Sequence, residues 1–407
     1  MIRLPDESGA LRAYEPRAEP ADAVVRVEAG ACARAGAAPA SRTVFAAAHV
    51  VADRFKEGAG ADGPAALDWD ATLAFRRHLW SHGLCVAEAM DTAQRGMGLD
   101  WSVAAELTRR SAAEARAVGG RVACGVGTDQ LPPGASDLAS VRGAYEEQSE
   151  VVEKAGGQAI VMASRALAAT ARGPEDYLEV YGHLLRQARE PVILHWLGPM
   201  FDPALEGYWG STDLDAATAT FLRIIDGNPG KVDGVKVSLL DAGREVALRR
   251  RLPEGVRCYT GDDFNYPELI AGDGGDADGE GAFSGERAFS HALLGIFDPL
   301  APLAADAVRL LDAGDRDGFR AALDPTVALS RHLFQAPTRF YKTGVVFLAW
   351  LAGHQDHFVM VGGMQSARTL PHLARAYELA DTLGLFPDPG LAEARMRRLL
   401  DVQGVEA

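Results

Sequence analysis

Two apolar runs lie close together in the middle of the chain, PVILHWLG at residues 191–198 and VDGVKVS at residues 232–238. A helical pattern at residues 213–226 separates them. Short apolar runs that alternate with helices are typical of parallel strands joined by helical crossovers. The stretch from residue 191 to residue 238 therefore predicts a strand, a helix and a second, parallel strand.

The same alternation extends in both directions from this central unit. Eight strand–helix units are enough to close a (β/α)8 barrel, so we predict an α/β protein with the TIM-barrel fold. The eighth strand is expected at residues 281–285, and its helix at 287–296. The remaining predicted strands are TVFAAAHV (43–50), LCVAEAM (84–90), RVACGVG (121–127), QAIVMAS (158–164) and VRCYTG (256–261).

The ends of the chain have a different character from the barrel pattern. Residues 1–40 read as a short, strand-rich N-terminal appendage, and residues 41–298 as the (β/α)8 barrel. From residue 299 to residue 407 the pattern is helical only, which predicts a C-terminal helical extension packed on the barrel.

Composition and charge exclude some classes of function. The net charge of -15 argues against nucleic acid and against an anionic membrane surface as partners. The sequence shows neither a signal-peptide pattern at its start nor an apolar run of the ~18 residues that a membrane-spanning helix needs. Four scattered cysteines without a CxxC pair are typical of free thiols, so we expect a cytoplasmic protein (Cys32, Cys85, Cys124 and Cys258).

Lys236 is an unusual residue for an apolar strand, and the chain has only five lysines among its 41 basic residues. Strand ends face the active site of a TIM barrel, and burial there lowers the pKa of an amine. A neutral amine attacks carbonyl groups and forms a Schiff base. His195, one strand earlier at the same depth, is suited to proton transfer. Each residue also has a structural interpretation. Lys236 could form an ion pair with Asp262 or Asp263, and His195 could be a hydrogen-bonded histidine of the core.

The order of these features resembles that of a known enzyme superfamily. GRVACGVG (120–127), PVILHWLGP (191–199) and VDGVKVSLLD (232–241) are similar to the third, fifth and sixth strands of the dihydrodipicolinate synthase and N-acetylneuraminate lyase superfamily. More narrowly, the chain resembles the branch catalogued as DUF993. The resemblance implies a class I aldolase-like TIM barrel with C-terminal helices, a homo-oligomer, and Lys236 as the Schiff-base lysine.

Two positions depart from the pattern of that superfamily. His195 stands where the superfamily has a catalytic tyrosine. The superfamily motif Gly-Thr-Thr-Gly-Glu, which holds the substrate carboxylate, is replaced by EAMDTAQRG (88–96), in which only Thr92 matches. The adjacent Asp91 would repel a 2-oxo acid carboxylate, so the resemblance supports imine chemistry more strongly than it supports any particular substrate.

The sequence therefore predicts a lyase, an aldolase or a related dehydratase that acts on a small carbonyl compound, such as a sugar derivative, without a cofactor. Lys236 and His195 are the expected catalytic residues. One alternative is a metal-dependent isomerase or aldolase whose divalent metal is held by the strand-end residues His49, Asp91, His195 and Asp262. Another is a barrel that binds a metabolite without catalysis. The expected substrate-binding residues are Asp91, Thr92, Ser238, Asp262, Asp263, Ser284 and Lys342.

Overall fold

A computed structural model describes residues 1–19, 38–56, 65–132, 137–272 and 285–406. Within these ranges, eight parallel strands close into a barrel, which confirms the predicted fold. Each barrel strand pairs with the next along the chain, and the last strand pairs with the first. The strands are β3 Val44–Ala47, β4 Cys85–Glu88, β5 Val122–Val126, β6 Gln158–Val161, β7 Val192–Leu197, β8 Val232–Ser238, β9 Arg257–Thr260 and β10 His291–Leu294.

Side chains alternate between the interior and the exterior of the barrel. Val235 and Val237 of β8 belong to the large core between the strands and the surrounding helices. Because successive side chains of a strand point to opposite faces, Lys236 and Ser238 face the barrel interior. A separate interior core lies below them, formed by Phe45, Ala47, Cys85, Ala87, Met90, Ala123, Ile160, Ile193, Tyr259 and Leu293.

Helices surround the barrel, and most of the longer ones begin at an aspartate. The carboxylates of Asp68, Asp100 and Asp137, for example, accept hydrogen bonds from free backbone N–H groups in the first turn. The helices between and after the strands are α1 Trp69–Ser81, α2 Trp101–Val118, α3 Leu138–Ala155, α4 Arg165–Thr170, α5 Pro174–Gln187, α6 Leu214–Asp226, α7 Ala242–Arg249, α8 Tyr266–Ala271 and α9 Ala301–Asp312.

The predicted eighth strand is wrong. Residues 281–284 lie outside the described residues, Gly285–Arg287 form a short 3-10 helix, and the strand is β10, inside the predicted helix 287–296. The apolar run HALLGIF (291–297) has no clear period, so its pattern does not distinguish a short buried strand from a helix. The expected division at residue 298 falls between β10 and its helix α9.

The two ends of the chain meet on one side of the molecule. The N-terminal appendage forms an antiparallel hairpin of β1 Ile2–Pro5 and β2 Leu11–Tyr14. The Tyr14 hydroxyl donates to an Asp381 carboxylate oxygen at 2.8 Å and ties the hairpin to the C-terminal helices. These are α10 Arg316–Leu323, α11 Val327–Leu333, α12 Tyr341–Leu351, α13 Leu370–Thr382 and α14 Pro389–Val402.

Helix α12 is the C-terminal element that matters for the site. Every one of its residues is buried, which is the pattern of a helix enclosed by protein on all sides. Its first two residues, Tyr341 and Lys342, carry polar groups into this buried environment. Among the described residues, no helix is both long enough and apolar enough to cross a lipid bilayer.

Candidate active site

Lys236 lies at the carboxyl end of β8 with only 5% of its surface exposed. It pairs in register with His195 of β7, so the two predicted catalytic residues are neighbours across adjacent strands. Burial lowers the pKa of the Lys236 amine, and the nearby carboxyl groups of Asp91 and Asp263 partly oppose that shift. A larger fraction of the Lys236 amine is therefore neutral than in a solvent-exposed lysine.

A glycine at the end of the next strand leaves room for this lysine. A Cβ atom at Gly261 would lie 2.2 Å from Ser238 Oγ and 2.9 Å from Lys236 Cε. Both distances are too short for any side chain larger than hydrogen. The sequence analysis missed Gly261, although a glycine directly after a strand is a signal for close approach of neighbouring atoms.

His195 and Ser238 form a hydrogen-bonded pair beside Lys236, with 3.1 Å between Nε2 and Oγ. Burial, together with the nearby Lys236, holds the pKa of His195 well below its usual range. The imidazole is therefore neutral near pH 7. Its Nδ1 atom is buried and has no hydrogen-bond partner among the described residues. A neutral imidazole bonded to a hydroxyl can accept a proton through that hydroxyl.

Asp263 lies just beyond β9 and is the carboxylic acid of the site. Burial raises its pKa to about 8, while Lys236 acts in the opposite direction. Its Oδ1 accepts a hydrogen bond from the Ile296 backbone N–H at 3.0 Å. The Ser330 hydroxyl of α11 donates to its backbone carbonyl at 2.5 Å. Because burial outweighs the opposing effects of the Ile296 N–H group and Lys236, the Asp263 carboxyl group keeps its proton at neutral pH and can donate it.

Asp262, although adjacent in sequence, has a different role from Asp263. Its Oδ1 accepts the backbone N–H groups of Phe264 and Asn265, at 2.8 and 3.0 Å. Its Oδ2 accepts from the Asn265 side-chain amide at 2.8 Å. Both oxygens are thus used by the turn that leads into α8. This geometry makes Asp262 a turn residue, and its role in substrate binding stays a prediction.

The loop after β4 joins the barrel mouth to α12. Thr92 Oγ1 and the Tyr341 hydroxyl are 2.5 Å apart, and the Tyr341 ring stacks on Phe334 with ring centroids 4.2 Å apart. Burial and the nearby Asp91 raise the pKa of Tyr341 well above its usual range, so its hydroxyl stays protonated. The predicted pair Asp91 and Thr92 therefore meets Tyr341 at the start of α12.

Lys342 is brought to the same mouth from α12 and is 3% exposed. Burial lowers the pKa of Lys342 to about 8, although the nearby Asp91 acts to raise it. Asp91 acts on the pKa values of both lysines, so Lys236 and Lys342 lie within electrostatic range of one carboxyl group. The predicted mouth residues Lys236, His195, Ser238, Asp91, Thr92, Asp263 and Lys342 are thus brought together, while Ser284 lies outside the described residues.

Other polar groups at the strand ends are bonded to one another. The Arg95 guanidinium donates to both Asp129 carboxylate oxygens, at 2.9 and 2.6 Å. Thr128 Oγ1 and Ser164 Oγ are 2.6 Å apart. These pairs stabilise the loops after β4, β5 and β6. The chemistry of the mouth is therefore concentrated around the two lysines.

The predicted metal ligands do not come together. His49 is fully buried, and its Nδ1 lies 2.8 Å from Asp298 Oδ2, which also accepts the His49 backbone N–H at 2.7 Å. Over the described ranges, no three His, Cys, Asp or Glu side chains are arranged to hold a metal ion. The expected set of His49, Asp91, His195 and Asp262 is therefore not assembled.

The sequence matches one protein family over nearly its whole length. The family is described as protein of unknown function (DUF993), and its model matches residues 2–405. The chain belongs to the DUF993 family. No curated protein matches the sequence of this DUF993 chain.

Solved structures with the same fold belong to dihydrodipicolinate synthases and a relative. The prophage protein YagE from E. coli K12, of the dihydrodipicolinic acid synthase family and in complex with pyruvate, is 13% identical. Its TM-score is 0.64, over 84% of the DUF993 chain and 99% of YagE. Dihydrodipicolinate synthase from Aquifex aeolicus is 14% identical, with a TM-score of 0.57 over 90% and 99% of the two chains.

A third match is the chloride-inhibited dihydrodipicolinate synthase from Acinetobacter baumannii, complexed with pyruvate. It is 14% identical, with a TM-score of 0.58, over 85% of the DUF993 chain and 100% of the enzyme. At these identities the likeness shows a shared fold. It confirms the resemblance at the level of the barrel with its C-terminal helices.

Proposed function

We propose that this DUF993 protein is a lyase of the class I aldolase type, which forms an imine between Lys236 and a small carbonyl substrate. The observation that carries the proposal is the position of Lys236. Its amine is buried at the carboxyl end of a barrel strand, has a lowered pKa, and lies near the carboxyl groups of Asp91 and Asp263. Strand ends at this face of a TIM barrel carry the catalytic residues.

The first step is attack of the neutral Lys236 amine on the substrate carbonyl carbon. The C–N bond forms, the carbonyl oxygen takes up a proton, and the product is a carbinolamine. Asp263, which is protonated at neutral pH because burial raises its pKa to about 8, donates its proton to the departing hydroxyl group. Water leaves, and an iminium ion remains beside the Asp263 carboxylate.

The second step uses the iminium ion as an electron sink. If the adjacent C–C bond is cleaved, its electron pair moves toward the imine nitrogen and an enamine forms. If a C–O bond is cleaved, loss of the adjacent C–H proton first forms the enamine, which then expels the hydroxyl group as water together with that proton. His195, which is neutral and bonded to Ser238, is placed to accept the substrate proton released in this step. We propose that the His195–Ser238 pair performs the proton transfer for which the related superfamily uses a tyrosine.

Two of the solved structures with this fold were determined with pyruvate, which is a carbonyl compound. That observation favours a carbonyl compound as the substrate of this chain as well. Divergence is large, since YagE shares 13% of its residues with this chain. The homo-oligomer expected from the resemblance stays a prediction.

Borohydride trapping tests the proposal, because borohydride reduces an imine to a stable secondary amine. The purified protein is incubated separately with pyruvate, glyceraldehyde and dihydroxyacetone and is then reduced with borohydride. The mass of the intact protein is measured by mass spectrometry. We expect a single adduct with at least one of these compounds. Lys236→Met, which keeps the side-chain volume but removes the amine, should give none.

Lys154→Met is the matched control, because Lys154 lies on α3 with a side chain that is 66% exposed. This variant should form the adduct as the wild type does. Circular dichroism checks that both variants are folded. An adduct in Lys236→Met at the wild-type level would contradict the proposal.

A further inference from the structure

Within the ranges that the structure describes, the amine of Lys342 has no strong hydrogen-bond acceptor. Its recorded partner is the thioether of Met97, at 3.6 Å between Nζ and Sδ, and sulfur of this kind is a weak acceptor. Among the described residues, Lys342 forms no ion pair with a carboxylate. An ammonium group that is 97% buried without a partner is costly, since its hydration is lost without compensation.

The charged neighbours of Lys342 do not replace the missing partner. Asp91 favours the charged amine from a distance, and Arg165 disfavours it. Arg165 itself is paired with Asp202, with 2.5 Å between Nε and Oδ2. The groups that face Lys342 therefore include one carboxylate beyond ion-pair distance and one further cation. An oxyanion from outside the chain would supply the missing acceptor.

The charges around Lys236 balance without Lys342. When the imine forms, Asp263 gives its proton to the departing hydroxyl group, so an Asp263 carboxylate faces the positive iminium ion. Asp91 lies near both lysines but beyond ion-pair distance of Lys342. The Lys342 ammonium group therefore lacks a direct counter-ion among the described residues, and a negative group on the substrate would supply one.

The location of Lys342 also shows where such a group would lie. Lys236 is approached by Asp91 and Asp263, so a negative group directly beside the substrate carbonyl would face carboxyl groups. Lys342 instead comes from α12, which the contact between Thr92 and Tyr341 holds over the mouth. A negative group bonded to Lys342 would face one of these carboxyl groups, Asp91, instead of two, which favours a position away from the reacting carbonyl carbon.

We propose that Lys342 binds an oxyanion of the substrate, a carboxylate or a phosphate, that is separated from the reacting carbonyl carbon. This inference rests on the proposed imine chemistry at Lys236 and names the class of compound that reacts there. The C-terminal extension then supplies the residue that selects the substrate, and the barrel supplies the nucleophile.

Matched pairs of aldehydes test the inference by borohydride trapping. Glyceraldehyde 3-phosphate is compared with glyceraldehyde, and succinic semialdehyde with butanal. In the wild type we expect at least one anionic aldehyde to give half-maximal trapping at a concentration about tenfold or more below that of its neutral partner. Preference within the first pair identifies a phosphate, and preference within the second identifies a carboxylate.

Lys342→Met removes the charge and keeps the side-chain volume. We expect it to lose the preference for the anionic aldehydes, so that charged and neutral partners reach half-maximal trapping at similar concentrations. Equal trapping of charged and neutral partners by the wild type would overturn the inference even if the variant fails to fold, and so would a preference that survives in the variant. Absence of trapping with every aldehyde would instead overturn the imine chemistry itself, and this inference with it.

Discussion

Two buried lysines at one barrel mouth differ in what surrounds them. Lys236, on a strand, lies near two carboxyl groups and a histidine, whereas Lys342, on a helix of the C-terminal extension, lies against a thioether. Burial lowers the pKa of both amines. The comparison shows that burial alone does not define a nucleophile. Groups that donate and accept protons must also lie beside the amine. In the part of the chain that the structure describes, Lys236 has Asp263 and the His195–Ser238 pair near it, whereas the recorded hydrogen-bond partner of Lys342 is a thioether.

The two lysines are also held in place differently. The backbone of Lys236 is paired with β7 on one side and with β9 on the other, so its position is fixed by the barrel itself. Lys342 depends on the docking of α12, to which the bond between Thr92 and Tyr341 contributes. Changes at the strand ends should therefore affect reactivity, and changes at α12 should affect selectivity.

Substitutions test this separation between reactivity at the strand ends and selectivity at α12. The largest effect on trapping is expected for Asp263→Asn. The amide cannot donate an acidic proton to the carbinolamine, so we expect imine formation to slow by about 100-fold, the lower end of the range for a lost general acid. The asparagine oxygen can still accept the Ile296 N–H, which keeps the local fold. Quenched trapping at fixed times measures the rate.

The pH dependence distinguishes this role from a structural one. Asp263 is effective when protonated, and its pKa is raised to about 8. In the wild type, imine formation should therefore decline as the pH rises above about 8, and Asp263→Asn should lose that decline. Asp262→Asn is the comparison variant, since both carboxylate oxygens of Asp262 are used by a turn. An unchanged alkaline limb in Asp263→Asn would contradict the assignment.

A smaller effect is expected for Gly261→Ala, which places a methyl group against Ser238 Oγ and Lys236 Cε. Overpacking of this kind costs about 1–3 kcal/mol, and the displaced amine should also react more slowly. Chemical denaturation and trapping measure the two effects. Gly143→Ala is the control, because a Cβ atom at Gly143 in α3 meets no atom within 4 Å. If Gly261→Ala matches the control in both assays, the close packing around Lys236 is not required.

The smallest effect is expected for Tyr341→Phe. The ring can still stack on Phe334, but the hydrogen bond to Thr92 is lost, at a cost of roughly 1 kcal/mol in unfolding free energy. Trapping of neutral aldehydes should be unchanged, while the preference for anionic aldehydes should weaken. A double-mutant cycle with Thr92→Val measures the coupling between the two residues. A coupling energy of zero would show that this contact does not hold α12 in place.

Much of the barrel could be predicted because its first seven strands are short apolar runs bounded by turns. The same periodicity placed Lys236 and His195 at equal depth, and the register of β7 with β8 bears this out. The eighth strand could not be predicted, because the run at residues 291–297 fits a helix as well as a strand.

The detail of the site could be predicted only in part. Asp262 and Asp263 are adjacent, so spacing cannot show which carboxyl group turns toward Lys236 and which caps a turn. The contact between Thr92 and Tyr341 spans 249 residues of sequence and leaves no local pattern. Such long-range contacts depend on how the C-terminal helices pack, which periodicity does not determine.

The central claim is that Lys236, and not Lys342, is the nucleophile. Peptide mapping of the borohydride-reduced protein tests it most directly, since the added mass can be assigned to one lysine. The account predicts an adduct on Lys236 alone, retained in Lys342→Met and lost in Lys236→Met. An adduct on Lys342, with Lys236 unmodified, would contradict it.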